Sequence, residues 1–491
     1  MPRGENYKRT KIVATIGPAS QEPSMLRALI RAGMDVARIN FSHGSHEIHA
    51  RNIANIRRLA LEEHAVVAII ADLQGPKIRL GELVQDPLEL TEGDRITLTP
   101  RALLDEEKPF LVPLPHADVL RDLKLGDRLL IDDGQLEMRV SAKQGEDVTC
   151  EVVTGGELHS RKGVSIPNSS LSMSSITERD REDVRFAIEQ GVDYIAMSFV
   201  RSAEDLRELR WLVHHLQGEV GLIAKIEKAE AINNFEAILD QADGIMVARG
   251  DLGVETPAER VPVHQKEIIR RCNQVGKPVI TATQMLNSMI DIPRPTRAEA
   301  SDVANAIIDG TDAVMLSGET AIGKYPLQSV EMMARIAQIA EEYLREHPEL
   351  HVGKVSREEL REEQRRSVAA AISYATSEVA GMLDAQVIVA STWSGYTARR
   401  VARERPSTPI VAVTPSQATY TRLALIWGVM PILVDVFSTI DEMVGVVMKT
   451  PQVREMLTPG DLMLIIGGVP FGHGGQTNFL KVMEFGGPEH T

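Results

Sequence analysis

The stretch GLIAKIE at 221–227 decides how this chain is read, together with MVARGDLG at 246–253. Each is a short apolar run that ends in charge, the pattern of a buried strand whose tip carries chemistry. Lys225 and Glu227 are two residues apart. On a strand, side chains so spaced point the same way. An ammonium and a carboxylate are therefore aimed together beyond the strand end. The second run adds Asp251 beside Gly250. Two carboxylates and a lysine that converge at strand ends suit a divalent metal and an anion.

Working outward, similar Val/Ile/Ala-rich runs lie at 11–16, 35–40, 66–73, 193–199, 244–248, 278–283 and 312–316. With 221–227 they make eight strand signals, separated by helical patterns such as 23–32 and 299–308. Runs buried on both faces that alternate with helices predict a closed (β/α)8 TIM barrel of the α/β class. The spacing breaks once: about 120 residues separate the third run from the fourth, far more than one helix needs. Within that gap alternating strands are predicted at 95–98, 128–131, 136–140 and 148–153. Turn pairs at Asp133-Gly134 and Gly155-Gly156 punctuate them. An inserted all-β lid over the barrel mouth is expected at 76–170, with the barrel at 1–75 and 171–345. A charged connector at 351–366 precedes renewed signals: helix 368–382, strand 385–390, helix 397–404, strands 410–414 and 462–467. These predict an open α/β domain at 346–491 with a mainly parallel sheet. No repeat or low-complexity tract is evident.

The chain has 491 residues, 43% hydrophobic and 25% charged, which predicts a soluble globular protein of several domains. Its two cysteines, Cys150 and Cys272, are too few for a disulfide framework and fit a reducing, cytoplasmic setting. The polar, basic start predicts no secretory leader, and no apolar run is long enough to span a membrane. A net charge of −15 argues against nucleic acid. It leaves room for small anions held by a local cluster of cations.

Arg38, Asn40 and Ser42 share one face of an extended segment, a pattern that suits a phosphoryl group and a monovalent cation; a plain strand edge is the alternative. His43, His46 and His49 match no common zinc set, and solvated histidines are the better reading. His43 remains able to touch a nucleotide. In DLQGPKIR at 72–79, Gly75-Pro76 is a candidate lid hinge that places Arg79 near the mouth; it also reads as a simple turn. Thr283 and Ser317 end the seventh and eighth runs, where hydroxyls hold a carboxylate, relay a proton or cap the next helix. Met285 and Met289, four apart, read as the packed face of a helix, and 177–180 as a helix start. Oxygen ligands without His or Cys favour Mg²⁺ or Mn²⁺.

Taken together, TKIVATIGPAS at Thr10, GMDVARINFSHG at Gly33, DLQGPKIR at Asp72, AKIEKAEA at Ala224, MVARGDLGVE at Met246, ITATQMLNSMI at Ile280 and the long run from Pro293 resemble the pyruvate kinase family over almost the whole chain. The resemblance implies phosphoryl transfer from phosphoenolpyruvate to ADP, giving pyruvate and ATP, in a homotetramer with a regulatory carboxyl-terminal domain. It implies that Glu227 and Asp251 hold Mg²⁺, and that Lys225 and Arg38 meet the transferring phosphoryl group. It places the backbone of Arg249, Gly250 and Asp251, with Thr283, around the substrate carboxylate. Thr283 and Ser317 become candidates for protonating the enolate. Asn40, His43 and Arg79 face the nucleotide, and Asp133 and Lys162 act from the lid.

Many family members hold K⁺ with oxygens matching Asn40, Ser42, Asp72 and a threonine carbonyl. Here that last position is Leu73, and a nearby glutamate of the family is Lys77. A lysine ammonium can replace the monovalent cation, so K⁺-independent activity is expected. In the last domain Thr392, Ser394, Gly395 and Thr397 form a loop that suits a phosphate, and the resemblance implies an allosteric effector there. A glycine-rich stretch at 467–478 can close over it. Trp393 and Tyr396 stand where basic residues often help hold fructose 1,6-bisphosphate, which favours a monophosphate. The competing readings are a barrel lyase or mutase acting on phosphoenolpyruvate or a 2-oxo acid, and a non-catalytic metabolite sensor.

Overall fold

The computed structural model describes residues 8–101, 108–167, 172–347, 350, 367–470 and 477–486. Eight strands close into a barrel: β1 (Lys11–Ile16), β2 (Val36–Asn40), β3 (Ala68–Asp72), β4 (Tyr194–Met197), β5 (Gly221–Ile226), β6 (Gly244–Ala248), β7 (Val279–Ala282) and β8 (Ala313–Leu316). Every neighbouring pair is parallel, and β8 returns to β1. All eight predicted runs are present, most of them trimmed at an end. The fourth is the shortest relative to expectation because Phe199 turns to φ +55° and leaves the strand geometry. Helices pack outside the strands. Arg297–Ile308 starts at a capping box in which Thr296 and Glu299 satisfy each other's backbone N–H. Glu178–Glu189 starts with the same device at Thr177 and Asp180.

Between β3 and β4 lies an antiparallel sheet. Its order is Val164–Ser165, Arg128–Ile131, Leu136–Gln144, Asp147–Thr154, Arg95–Thr99 and Leu111–Pro113, the last joined in parallel. It has its own core around Ile96, Leu98, Leu129, Met138 and Cys150. All four strands expected here occur. Leu88–Leu90 and Gly156–Leu158 form a further antiparallel pair, each strand too brief to show a period, so that Gly156, expected in a turn, begins a strand.

Beyond residue 367 a five-stranded sheet runs in the order Val429–Leu433, Ile410–Thr414, Val387–Ser391, Leu462–Gly467 and Phe479–Glu484, with only the last strand antiparallel. The helix Val368–Met382 matches its predicted bounds. The expected connector at 351–366, and 471–476 of the glycine-rich stretch, lie outside the described residues. This sheet's unit closes the floor of the barrel. Ala424 and Leu425 join Val13, Ile70, Ile223 and Met246 in one core, and Tyr194 donates its hydroxyl to Arg422 O at 3.0 Å.

One local expectation fails. Met285 and Met289 are both fully buried, but no α-helix carries them; the chain makes a loop and a 3-10 turn at Asn287–Ile290. The left-handed backbone of Thr283 (φ +69°) and Gln284 (φ +55°) prevents the helix from starting there.

Candidate active site

The carboxyl ends of the strands gather charge. Lys225, near the end of β5, donates from Nζ to Ser198 Oγ at 2.7 Å. The same ammonium pairs with Glu227 Oε1 at 2.8 Å and Asp72 Oδ1 at 3.2 Å. Asp72 ends β3, and its other oxygen accepts from Arg38 Nε of β2 at 2.6 Å. Arg38 Nη1 continues to Thr15 Oγ1 at 3.0 Å, and Thr15 in turn donates to Leu316 O at 2.9 Å. One network thus joins β8, β1, β2, β3, β4 and β5. Parallel pairing makes it possible, because register sets Asn40 beside Asp72 and Met197 beside Ala224.

Burial alone lowers the pKa of the Lys225 ammonium, but Asp72 and Glu227 outweigh it, and the net shift is upward. Burial likewise works to raise the pKa of Asp72, and the two cations reverse that, leaving it below the usual carboxylate range. Lys225 is therefore a fixed positive charge, not a titrating base.

Glu227 is buried, and its second oxygen accepts the Phe199 N–H at 2.6 Å. Asp251 sits differently. It makes no hydrogen bond among the described residues and opens onto a cleft of about 480 Å³ between barrel and inserted sheet. Asp251 is exposed at the cleft surface, yet partial loss of hydration there, with the charge of Glu227 nearby, pushes its carboxyl up to about 6. A free carboxylate of raised pKa beside a second one fits a cation. No cluster of three or more His, Cys, Asp or Glu suited to a metal occurs among the described residues. Two carboxylates alone suit Mg²⁺, which keeps the rest of its shell for water and substrate oxygens.

Lys77, Arg79 and Lys162 line the same cleft. The pKa of Lys77 is lowered, by burial first and then by the Lys225 charge, while Asp251 and Glu227 oppose the shift. Lys77 thus shares the field of the whole cluster. Arg79 donates to Arg161 O at 3.1 Å, and Lys162 pairs with Asp132 at 2.8 Å. Asp133 also lines the cleft, beside Asp132. Gly75 donates its N–H to Asp180 Oδ1 at 3.0 Å. Of the group considered for a monovalent cation, Asn40 Oδ1 accepts from the Ser42 N–H at 3.1 Å and Leu73 O accepts from Ser198. Asp72 is engaged by Arg38 and Lys225, and Lys77 is the cation on the cleft side.

His43 is exposed on the turn after β2. His49 stacks on Phe41 at 4.9 Å between ring centres; His46 stacks on Phe186 at 4.1 Å and meets Asp183 at 2.6 Å. Packing on Phe41 and Phe186 accounts for His49 and His46, and His49 is buried against Phe41 where a solvated side chain is expected.

Across the mouth, Gly250 N–H donates to Thr283 Oγ1 at 2.8 Å, and Thr283 Oγ1 donates to Ala282 O at 2.7 Å. The guanidinium of Arg249 holds this left-handed turn, with Nη2 on Thr283 O at 2.7 Å and Nη1 on Asp302 at 2.8 Å. A β-branched residue at positive φ is strained and persists only where its surroundings enforce it. Ser317 occupies the cap position of the short helix Gly318–Ala321 but makes no side-chain capping bond. Sequence reading assigns no role to Ser198, nor to Thr15 within the TKIVATIGPAS run. Only strand register sets Thr15 opposite Arg38 and brings the β4 end beside β5.

In the carboxyl-terminal sheet, Thr392 and Thr397 are buried and Ser394 is exposed. Thr397 Oγ1 meets Thr477 Oγ1 at 2.9 Å, Thr419 donates to Trp393 O at 2.7 Å, and Gly395 takes φ +80° just before the helix Tyr396–Arg403.

A closed parallel barrel with cations and carboxylates at its carboxyl rim, roofed by an inserted sheet, is the form of a barrel enzyme built for phosphorylated anions. Residues 7–330 match the family model of the pyruvate kinase barrel domain, and 370–483 that of the pyruvate kinase alpha/beta domain. The chain is 46% identical to the pyruvate kinase of Geobacillus stearothermophilus over 97% of its own length and 80% of that protein. It is 45% identical to that of Agrobacterium vitis, covering 98% and 97%. A crystal structure of a pyruvate kinase from Cryptosporidium parvum superposes with a TM-score of 0.89 at 34% identity, covering 97% of this chain and 96% of that one. The chain belongs to the pyruvate kinase family.

Proposed function

We propose that the protein transfers the phosphoryl group of phosphoenolpyruvate to ADP, yielding pyruvate and ATP, the closing step of glycolysis. The bond from phosphorus to the enol oxygen breaks, and a bond from phosphorus to a β-phosphate oxygen of ADP forms. The enolate left behind takes a proton at C3 to become pyruvate. The observation that carries this reading is the Arg38–Asp72–Lys225–Glu227 network at the barrel mouth, which presents two fixed cations beside a carboxylate pair. Phosphoryl transfer needs positioning and charge stabilisation more than covalent chemistry.

In this reading Lys225 and Arg38 neutralise charge on the transferring group. Glu227 and Asp251 hold Mg²⁺ or Mn²⁺, which when bound draws substrate oxygens together and offsets their charge. Gly250, Asp251 and Thr283 surround the carboxylate; Arg249 acts by holding the Thr283 turn. Asn40, His43, Arg79 and Lys162 face ADP. Between the two relay candidates, Ser317 is favoured, because its hydroxyl makes no bond among the described residues while that of Thr283 is committed to Ala282 O.

Lys77 supplies the charge that K⁺ supplies elsewhere, so turnover is K⁺-independent. The loop with Thr392, Ser394, Gly395 and Thr397 receives a phosphorylated effector, a monophosphate in preference to a bisphosphate. A cytoplasmic homotetramer with the domain limits expected above completes the reading. A lyase or mutase on the same substrate has no use for a cleft lined by Lys77, Arg79 and Lys162. The deciding experiment is a coupled assay of pyruvate release from phosphoenolpyruvate, ADP and Mg²⁺, with K⁺ present or replaced by a bulky organic cation. No ATP formation rejects the reaction; collapse without K⁺ rejects only the role of Lys77.

A further inference from the structure

The turn after β2, residues 41–44, carries the exposed His43 assigned above to the nucleotide side. Two helices hold this turn: His46–Glu62, which follows it, and Glu178–Glu189, which follows the inserted sheet. From the second helix, Arg179 Nη2 donates to Phe41 O at 3.3 Å. From the first, the His49 ring bonds to the backbone of His43 and lies nearly parallel to the Phe41 ring. His49 comes so close that a Cβ on Gly44 would stand 3.0 Å from its Cε1, and Gly44 takes φ +84°. Glycine meets both demands at once.

The two helices are themselves joined by a polar contact. His46 Nε2 meets Asp183 Oδ1 at 2.6 Å, and the imidazole stacks on Phe186, one turn further along the same helix. An ionised carboxylate only accepts, so the proton is assigned to His46 Nε2. Asp183 is 3% exposed. Its Oδ2 makes no hydrogen bond among the described residues, and Arg179 Nε lies 3.9 Å from it. A buried carboxylate so partly satisfied is costly, and an apolar contact between the helices would stabilise more. What the pair supplies is direction. A hydrogen bond to a charged group fixes an angle between two helices that apolar packing leaves loose. Arg38 lies on the strand before the turn, yet it does not depend on these helices, since Asp72 and Thr15 hold it.

We infer that His46 and Asp183 are positioning residues for the nucleotide. Their pair sets the helix His46–Glu62 against Glu178–Glu189, and through His49 and Arg179 it sets the turn that presents His43 to ADP. This inference rests on the reaction proposed above. It predicts a division that general loosening of the barrel would not produce: loss of the pair weakens ADP and spares phosphoenolpyruvate.

The test uses the full-length protein with His46→Leu, Asp183→Leu and His46→Gln. The KM for ADP, the KM for phosphoenolpyruvate and kcat are read for each, together with ADP binding by calorimetry. Either leucine variant is expected to raise the KM and the Kd for ADP on the order of tenfold, the worth of one hydrogen bond to a charged group. The KM for phosphoenolpyruvate and kcat should change little. His46→Gln keeps an N–H donor and should recover most of the ADP affinity. The double leucine variant should be no worse than either single one, the non-additivity of groups in contact. Equal rises in both KM values, an unchanged KM for ADP, additive losses in the double variant, or H46Q as impaired as H46L overturn the inference. If D183L does not fold, D183N keeps the shape and an uncharged acceptor, and a smaller rise confined to ADP is expected of it. Wild type run alongside separates the two ideas. Absence of ATP formation there counts against the reaction, and the pair is then judged on ADP binding alone.

Discussion

Asp72 Oδ1 stands 3.2 Å from Lys225 Nζ, and this buried ion pair links the ends of two strands 153 positions apart in the chain (225 − 72). The other Asp72 oxygen holds Arg38. One carboxylate therefore keeps two cations close together against their mutual repulsion. Asp72→Asn leaves both cations buried beside a neutral amide. Breaking one side of a buried pair costs about 3–5 kcal/mol. The barrel should unfold at lower urea than wild type, and an unchanged midpoint would contradict the proposed balance.

Lys225→Met removes the ammonium and keeps much of the stem. Loss of one preorganised charge stabiliser costs at least about a hundredfold in turnover. Steady-state kinetics should show the loss in kcat, with the KM for ADP little changed. Retained turnover rejects the role of Lys225.

Lys77→Glu tests the proposed replacement of K⁺ by putting a carboxylate in place of one of the cations that line the cleft. The variant should become K⁺-activated while wild type stays indifferent. Turnover measured against K⁺ concentration, at constant ionic strength with a tetraalkylammonium salt, reads this directly. A K⁺-indifferent, active variant would remove Lys77 from its assigned part.

Asp251→Asn takes away the carboxylate that opens onto the cleft. Losing even an outer partner of a metal ligand costs about 10–100-fold in affinity. The Mg²⁺ concentration for half-maximal activity should therefore rise at least about tenfold, and chelation of wild type should abolish turnover reversibly. An unaltered Mg²⁺ dependence would place the metal elsewhere.

Leu425 is fully buried in the floor of the barrel, contributed by the carboxyl-terminal unit. Leu425→Ala should destabilise by about 2–5 kcal/mol, the cost of a large-to-small change in a packed core. Thermal unfolding should show the barrel melting earlier. A shift confined to the carboxyl-terminal sheet would mean that the floor contact contributes little to the barrel.

The barrel was legible because its signal is local. Runs such as KIVATI at Lys11–Ile16 are buried at every position, and continuous apolarity bounded by helical periods can be read residue by residue. Lys225 and Glu227 were legible for the same reason, since alternation along a strand needs no knowledge of the rest of the chain. The failures lie where local signals conflict. The spacing of Met285 and Met289 suggests a helix, yet Arg249 and Gly250, from another strand end, hold Thr283 in the left-handed region and forbid one. Ser198 and Thr15 lie beside cations only through register. Asp183 reads as an ordinary acidic residue of a helix until its burial is seen.

By itself the sequence determined the strand and helix periods, the break that admits the inserted sheet, and the residue types able to hold a phosphoryl group and a divalent cation. Tertiary structure alone decided which of those groups share a field. Closure of β8 onto β1 sets Thr15 against Leu316, the β1–β2 pairing sets it opposite Arg38, and β4, lying between β3 and β5, leaves Asp72 within reach of Lys225. The physical reason is range. Periodicity is a property of neighbours along the chain, whereas charge and hydrogen bonding act through space, and only the closed barrel brings distant strand ends within a few ångströms.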